Sequence, residues 1–252
     1  MWNASQYLQF GNERTQPCYD LVNRIQLEKV GRVIDLGCGP GNSTQVLRGR
    51  WPEAQISGLD SSTEMIDKAR DGAPDQAWAL GDIEDWAADS EERYDIVCAN
   101  AALHWVRNHD VLLPRLLAHA DGVVAAQMPE QKGEAHRLMQ SLSLSTSWRR
   151  SFQRLPQWHG LALEEYFDLL APLTSRLDLW STEYIHVMAN ADAVVDWYRA
   201  TGLRAYLDEL SSPDERERFV ADYSEGIREI YKPQANGKVL FPFRRLFLIA
   251  YK

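Results

Sequence analysis

Cations are scarce in this chain. It carries 27 Lys and Arg against 36 Asp and Glu, a formal net charge of -9 over 252 residues. That balance argues against a nucleic-acid partner, because phosphate binding relies on an excess of Lys and Arg. An anionic small molecule would need arginines gathered locally against the overall field. Cysteine is scarce too: Cys18, Cys38 and Cys98 lie far apart, and no pair has metal-ligand spacing, so no metal is expected and a reduced, cytoplasmic setting is the simplest reading. Long apolar runs are missing. No window approaches the roughly 18 residues of a membrane span, and the amino terminus has no apolar core of leader length. No membrane partner is expected, and a monomer or at most a weak dimer is the default.

What is present is a rhythm. Apolar, β-branched runs at 32–36, 54–60, 77–82, 94–100 and 121–128 alternate with segments of helical spacing. Strand and helix in this order predict an α/β fold, a mostly parallel sheet with helices on both faces. After Met128 the rhythm breaks. Residues 130–171 and 189–236 read as two helical excursions, flanking a strand at 175–188 and followed by a last strand from Val239. The expectation is one domain over 1–252, seven-stranded and Rossmann-like, with helical lid insertions at about 130–171 and 189–236. Such excursions would lie over the crevice where open α/β sheets bind ligands.

The turn after the first strand holds Gly37, Gly39 and Gly41. Their G-x-G-x-G spacing differs from the dinucleotide fingerprint, and no Gly-Lys-Ser/Thr follows, so the turn is not a P-loop. Asp60 ends the second strand, placed to accept from ribose hydroxyls; Asp82 ends the third, where an acid could meet an adenine edge. Either acid alone could equally cap the next helix. All three features at successive strand ends favour a ligand site.

The stretch "DLGCGPG" (35–41), with Asp60 and "GD" (81–82), resembles the class I S-adenosylmethionine-dependent methyltransferases. The resemblance implies an antiparallel last strand beside the sixth, and S-adenosyl-L-methionine as cofactor, released as S-adenosyl-L-homocysteine. It also implies a cofactor site of Asp35, Gly37, Gly39, Gly41, Asn42, Asp60, Ser61, Asp82, Ile83 and Asn100, covered by an amino-terminal segment with Tyr7, Phe10 and Arg14. That segment could equally be a helix packed on the domain. Segments outside this core ("ANAALHWV", "VVAAQMP", "TEYIHVM", "DWYRATGLRAYL" and "NGKVLFPFRRLFLIA") are similar to a branch of the family that esterifies a small polycarboxylic acid. Glu130 and Gln131 depart from that branch's pattern beside the expected acceptor pocket.

The chemistry so implied is in-line displacement by a carboxylate oxygen on a methyl sulfonium. Carboxylates are ionised at neutral pH, so no general base is required, and catalysis becomes positioning and drying. The resemblance puts the loop of His104 and Trp105 at the transfer site. His104 could donate a hydrogen bond to the acceptor, serve as base for a hydroxyl, or simply bond the loop backbone. Arginine's fork suits carboxylates. Arg204 beside Tyr206 is the first candidate and Arg245 the second, ahead of Arg149, Arg150, Arg154, Arg199 and Arg244. His186 reads as a structural strand histidine, and Trp158 as packing. Two rivals stay open: another acceptor (a carrier-bound malonyl thioester docked on "SWRRSFQR", or a hydroxyl), and a non-catalytic cofactor-binding protein.

Overall fold

Alternate residues of the central strands face two different apolar cores. In the computed structural model, which describes residues 10–152 and 154–252, strands β1 (Arg32–Leu36), β2 (Gln55–Asp60), β3 (Ala77–Leu80), β4 (Tyr94–Asn100), β5 (Ala120–Pro129), β6 (Arg176–Met188) and β7 (Val239–Tyr251) form one sheet. Their order is β3-β2-β1-β4-β5-β7-β6, with β7 antiparallel to both neighbours and the other pairings parallel. The last strand therefore lies beside the sixth as expected, but it also inserts between β5 and β6.

Val33, Ile96, Cys98, Val123 and Ala125 point to one face. They meet Cys18, Leu21 and Val22 of helix α1 (Gly11–Arg24), and Val46 and Leu47 of α2 (Asn42–Arg50). Ile34, Leu36, Val97, Ala99, Val124 and Ala126 point to the other, against α5 (His109–His119) and α7 (Leu163–Leu170). Burial on both faces is what continuous apolar runs in parallel strands require. Helices α3 (Thr63–Gly72) and α4 (Ile83–Asp89) follow β2 and β3. Ser62 caps α3 by accepting from Met65 N at 3.4 Å, and Asp82 caps α4 by accepting from Glu84 N at 2.7 Å. Asp82 thus belongs to a helix cap, and β3 stops two residues earlier than its apolar pattern predicts.

The helical excursions are more than cover. Helices α6 (Glu134–Leu144), α8 (Ala191–Arg199), α9 (Gly202–Glu209) and α10 (Pro213–Ile230) share a third core with the outer half of the β6–β7 hairpin. Trp197, Tyr198, Phe219, Tyr223 and Phe241 are all fully buried there. A large buried side chain is worth roughly 1.5–3 kcal/mol, so this layer is held as firmly as the sheet's own faces. Among the described residues no helix is long and apolar enough to cross a membrane, and no cluster of His, Cys, Asp or Glu could hold a metal ion.

Candidate functional site

The carboxyl ends of β1, β2 and β4 open into a cleft of about 350 Å³. Its floor is the glycine turn. Gly37 has φ +70°, and a Cβ there would fall 2.3 Å from Ala102 Cβ, so no other residue fits. Gly39 has φ +54° with open space on its Cβ side, which leaves backbone facing the cleft. The turn is tied to β2: Gly37 N and Cys38 N donate to Leu59 O at 2.8 and 3.0 Å. Asp60 completes the tie. Its Oδ2 accepts from Gly39 N and its Oδ1 from Ser62 N, both at 2.9 Å. Burial raises the Asp60 pKa, and those two N–H groups oppose the rise.

Arg14, Gly37, Gly39, Asn42, Asp60, Ser61, Asp82, Ile83, Asn100 and Trp105 all line this cleft. Two of the ten residues expected to form the cofactor site do not. Asp35 is wholly buried beneath the turn, where Oδ2 accepts from Ser43 Oγ at 2.7 Å and Thr44 Oγ1 at 2.6 Å. Desolvation pushes its pKa up to about 6, against those two hydrogen bonds. Asp35 therefore braces α2 under the turn and lines no part of the cleft; as a direct ligand contact it is corrected. Gly41 faces a shallower surface recess behind the turn. Tyr7 lies outside the described residues. Cys38 is buried and its thiol pKa is far above the usual range, which fits packing.

The charge of the cleft tests what it could hold. Among the described residues its lining carries one cation, Arg14, and three carboxylates, Asp60, Asp82 and Glu84. A phosphate would meet repulsion there. An adenosyl ligand with a cationic amino-acid end would not, and Asp60 and the open Gly39 backbone suit its ribose.

Beyond the cleft lies a buried polar region. Arg14 and Arg245 are 5% and 4% exposed, in the company of buried His104, His136 and His186. Arg14 on α1 reaches across to α8, where Nη2 donates to Trp197 O at 3.1 Å and the guanidinium lies 4.6 Å from the Trp197 ring. Arg245 Nη1 donates to Gln127 Oε1 at 3.0 Å. All three histidines are held neutral at physiological pH. Burial comes first in each case, reinforced by Arg245 at His104 and by Arg245 and Arg14 at His186; His136 and His186 fall to about 4. Histidine 186 does not make the structural bond expected of it: its Nε2 has no hydrogen-bond partner among the described residues, nor has His104 Nδ1.

His104 does not line the cleft. It faces a neighbouring cavity of about 290 Å³ and stacks on Trp158 with ring centroids 5.0 Å apart. Trp158 also lies 4.6 Å from Trp105, which does line the cleft. This indole, one of several expected mostly to pack, thus stands with Trp105 between the two spaces. Glu130 and Gln131 line the second cavity. Glu130 accepts from Ser181 Oγ at 2.7 Å and pairs with Arg244 Nε at 3.3 Å, so its charge is compensated.

The order of the arginine candidates reverses. Arg204 pairs with Asp208 one turn along α9 at 3.4 Å and lines neither cavity. Tyr206 packs at 6.1 Å on Phe219 in the third core, and lines a recess of about 330 Å³ with His136 and Trp158. Arg149, Arg150 and Arg154 are exposed. Strand alternation separates Arg244, at the surface, from buried Arg245. Sequence reasoning missed Gln127, whose signal was a lone amide in an otherwise apolar strand end.

Residues 10–210 match a family described as a methyltransferase domain. The trans-aconitate 2-methyltransferase of Azoarcus sp. (strain BH72) is 43% identical over all of this chain and 99% of its own. Among solved structures, the YcgJ protein of Bacillus subtilis superposes with TM-score 0.59 at 15% identity, covering 94% of this chain and 98% of that one. A Haemonchus contortus phosphoethanolamine N-methyltransferase 2, solved with S-adenosyl-L-methionine, gives TM-score 0.58 at 14% identity over 98% of this chain and 56% of its own. At these identities the two structures speak for the fold.

Proposed function

The chain belongs to the methyltransferase family of the trans-aconitate 2-methyltransferases, and from that premise we propose that it uses S-adenosyl-L-methionine to methylate one carboxylate of a small tricarboxylate, trans-aconitate. The observation that carries the acceptor half is the pair of buried guanidinium groups, Arg14 in the wall of an acidic cleft and Arg245 beyond it, in a chain of net charge -9. A guanidinium fork matches a carboxylate in both geometry and charge. A polycarboxylate is the matching small anion.

The bound cofactor supplies a methyl group made electrophilic by its sulfonium. Asp60 would accept from the ribose hydroxyls, Ile83 and Asp82 would border the adenine, and Asn100 would face the amino-acid end. Arg245, with Arg14, would hold the acceptor's carboxylates so that one oxygen is aimed at the methyl carbon. That oxygen is ionised at neutral pH, so no residue has to remove a proton. His104, kept neutral, cannot serve as an acid there and suits a hydrogen-bonding, positioning role. Trp105 and Trp158 would exclude water, which otherwise solvates the opposite charges that cancel on transfer. The helical layer over 130–171 and 189–236 would be the lid of this site, and Arg14 would close over the cofactor. The three free, buried cysteines fit a reducing, cytoplasmic setting.

The test is a methyl-transfer screen with trans-aconitate, cis-aconitate, isocitrate and citrate side by side. Turnover fastest with trans-aconitate, giving a product that releases methanol in mild alkali, is the expected result. Activity confined to a carrier-bound thioester, or an alkali-stable methyl ether, would overturn it.

A further inference from the structure

Gln127 is the one fully buried amide on β5, between Ala126 and Met128. It is held at both ends. Arg245 Nη1 donates to its Oε1 at 3.0 Å, and its Nε2 donates to Asn100 Oδ1 at 2.6 Å. Its main-chain carbonyl accepts from Ala101 N at 2.9 Å. Ala101 sits at φ +54°, a strained conformation for a residue with a Cβ. One residue thus grips both the side chain of Asn100 and the backbone next to it, at the wall of the cleft.

The polarity of this chain of groups is forced. A guanidinium has donors and no acceptor, so the atom of Gln127 facing it must be oxygen. The Gln127 NH₂ then faces Asn100, which must answer with its own oxygen. The NH₂ of Asn100 is left for the cleft that Asn100 lines. We propose that Gln127 is a positioning residue: it carries the donor-only character of Arg245 through to Asn100, so that Asn100 presents an N–H to a carboxylate oxygen of the bound ligands. That oxygen belongs either to the amino-acid end of the cofactor or to the acceptor acid. The relay deepens the methyl-transfer reading above and rests on it.

Three variants separate this role from simple structural damage. Gln127→Glu keeps the shape but, when ionised, only accepts; it pairs with Arg245 and obliges Asn100 to turn its NH₂ inward and its oxygen to the cleft. Gln127→Met removes both bonds and imposes no orientation. Asn100→Asp leaves Gln127 and Arg245 intact and puts an oxygen toward the cleft. Titration calorimetry with S-adenosyl-L-homocysteine reads the cofactor end, the KM for trans-aconitate reads the acceptor end, and melting temperatures report folding.

Asn100→Asp should weaken at least one of the two tenfold or more. A loss in the calorimetric affinity assigns the oxygen to the cofactor; a loss confined to KM assigns it to the acceptor. Gln127→Glu should weaken the same quantity to a similar extent, and Gln127→Met by less than threefold. The relay is overturned if Asn100→Asp changes neither quantity, or if Gln127→Met is as harmful as Gln127→Glu. Should Gln127→Glu fail to fold, Asn100→Asp decides. Should the wild-type protein leave trans-aconitate untouched, the acceptor reading falls instead, and calorimetry on the same variants alone decides the relay.

Discussion

Asp60→Asn tests the cofactor half of the site most directly, because both carboxylate oxygens have known partners. In the wild type Oδ2 accepts from Gly39 N and Oδ1 from Ser62 N. Asparagine keeps one oxygen, so one of those N–H groups would face an NH₂. A buried donor without an acceptor costs about 1–3 kcal/mol, and that loss loosens the turn whether or not a ligand binds. A ribose hydroxyl donating to a charged acceptor contributes a further 1.5–3 kcal/mol, roughly. Affinity for S-adenosyl-L-homocysteine should therefore fall about 10- to 150-fold from the ribose contact alone, and more if the turn shifts. A double cycle separates the two contributions. Calorimetry would compare wild type and variant, each with S-adenosyl-L-homocysteine and with its 2′,3′-dideoxyribose analogue. If Asp60 holds the hydroxyls, their removal weakens binding to the wild type strongly and to the variant little, leaving a coupling of about 1.5 kcal/mol or more. Equal losses in both proteins would show that Asp60 serves the turn alone, and would refute the ribose assignment.

Arg245→Met should raise the KM for the acid tenfold or more, with a far smaller loss of cofactor affinity, as expected for a charge-assisted bond to the acceptor. Arg204→Ala, removing the half-buried member of a helical ion pair that lines neither cavity, should leave that KM within about threefold; the reverse ranking in steady-state kinetics would restore Arg204 to the acceptor site. Trp158→Ala should lower kcat with little change in S-adenosyl-L-homocysteine affinity, because it opens the wall between His104 and Trp105 to water; an unchanged kcat would count against a drying role. Asp35 makes stability depend on pH. Its folded pKa, about 6, lies above the unfolded value, so the folded state binds more protons and this group favours folding at low pH. That advantage, about 3 kcal/mol from a shift of about two units, is lost as pH rises from about 4 through 6. Melting curves of wild type and Asp35→Asn between pH 4 and 8 should diverge in the variant's favour with rising pH, and parallel curves would refute the assignment.

The cleft was legible because its signals are local. Gly37, Gly39 and Asp60 stand at the ends of strands whose order follows from short-range rhythm, and carboxyl ends of parallel strands converge without further information. Asp35 was misread for a reason also present in the sequence. It shares its strand face with Val33, which points into the core beneath the turn. Asp82 could have been read either way, and it both caps α4 and lines the cleft. The acceptor half was less legible. Which face of α9 meets the sheet depends on the third core, whose aromatic contacts join residues far apart in sequence, so proximity of Arg204 to Tyr206 carried no information about the cavities. Strand parity on β7, in contrast, distinguishes Arg245 from Arg244. Trp158 sits in a stretch without periodicity, where nothing but the folded packing could bring it onto His104.

The electrostatics of the two halves also bear on turnover. Among the described residues the charged groups of the cleft are three carboxylates and Arg14 at its edge, and the region beyond holds Arg245 and three histidines kept neutral. Before transfer, a cationic cofactor would meet the acidic side and an anionic acid the basic side, so each charge is matched. Methyl transfer removes one positive charge from the cofactor and one negative charge from the acid. Both products are therefore less well matched to their walls than the substrates were, and both lose Coulombic attraction in a region of low dielectric. The neutrality of the histidines matters to this argument. Were they protonated, the basic side would hold the remaining carboxylates of the monoester more tightly and slow its departure. Burial keeps them uncharged, with Arg245 adding to it at His104 and His186, so the attraction for the acid comes from the guanidinium groups, and it weakens when the reaction has removed one of the charges that drew the acid in.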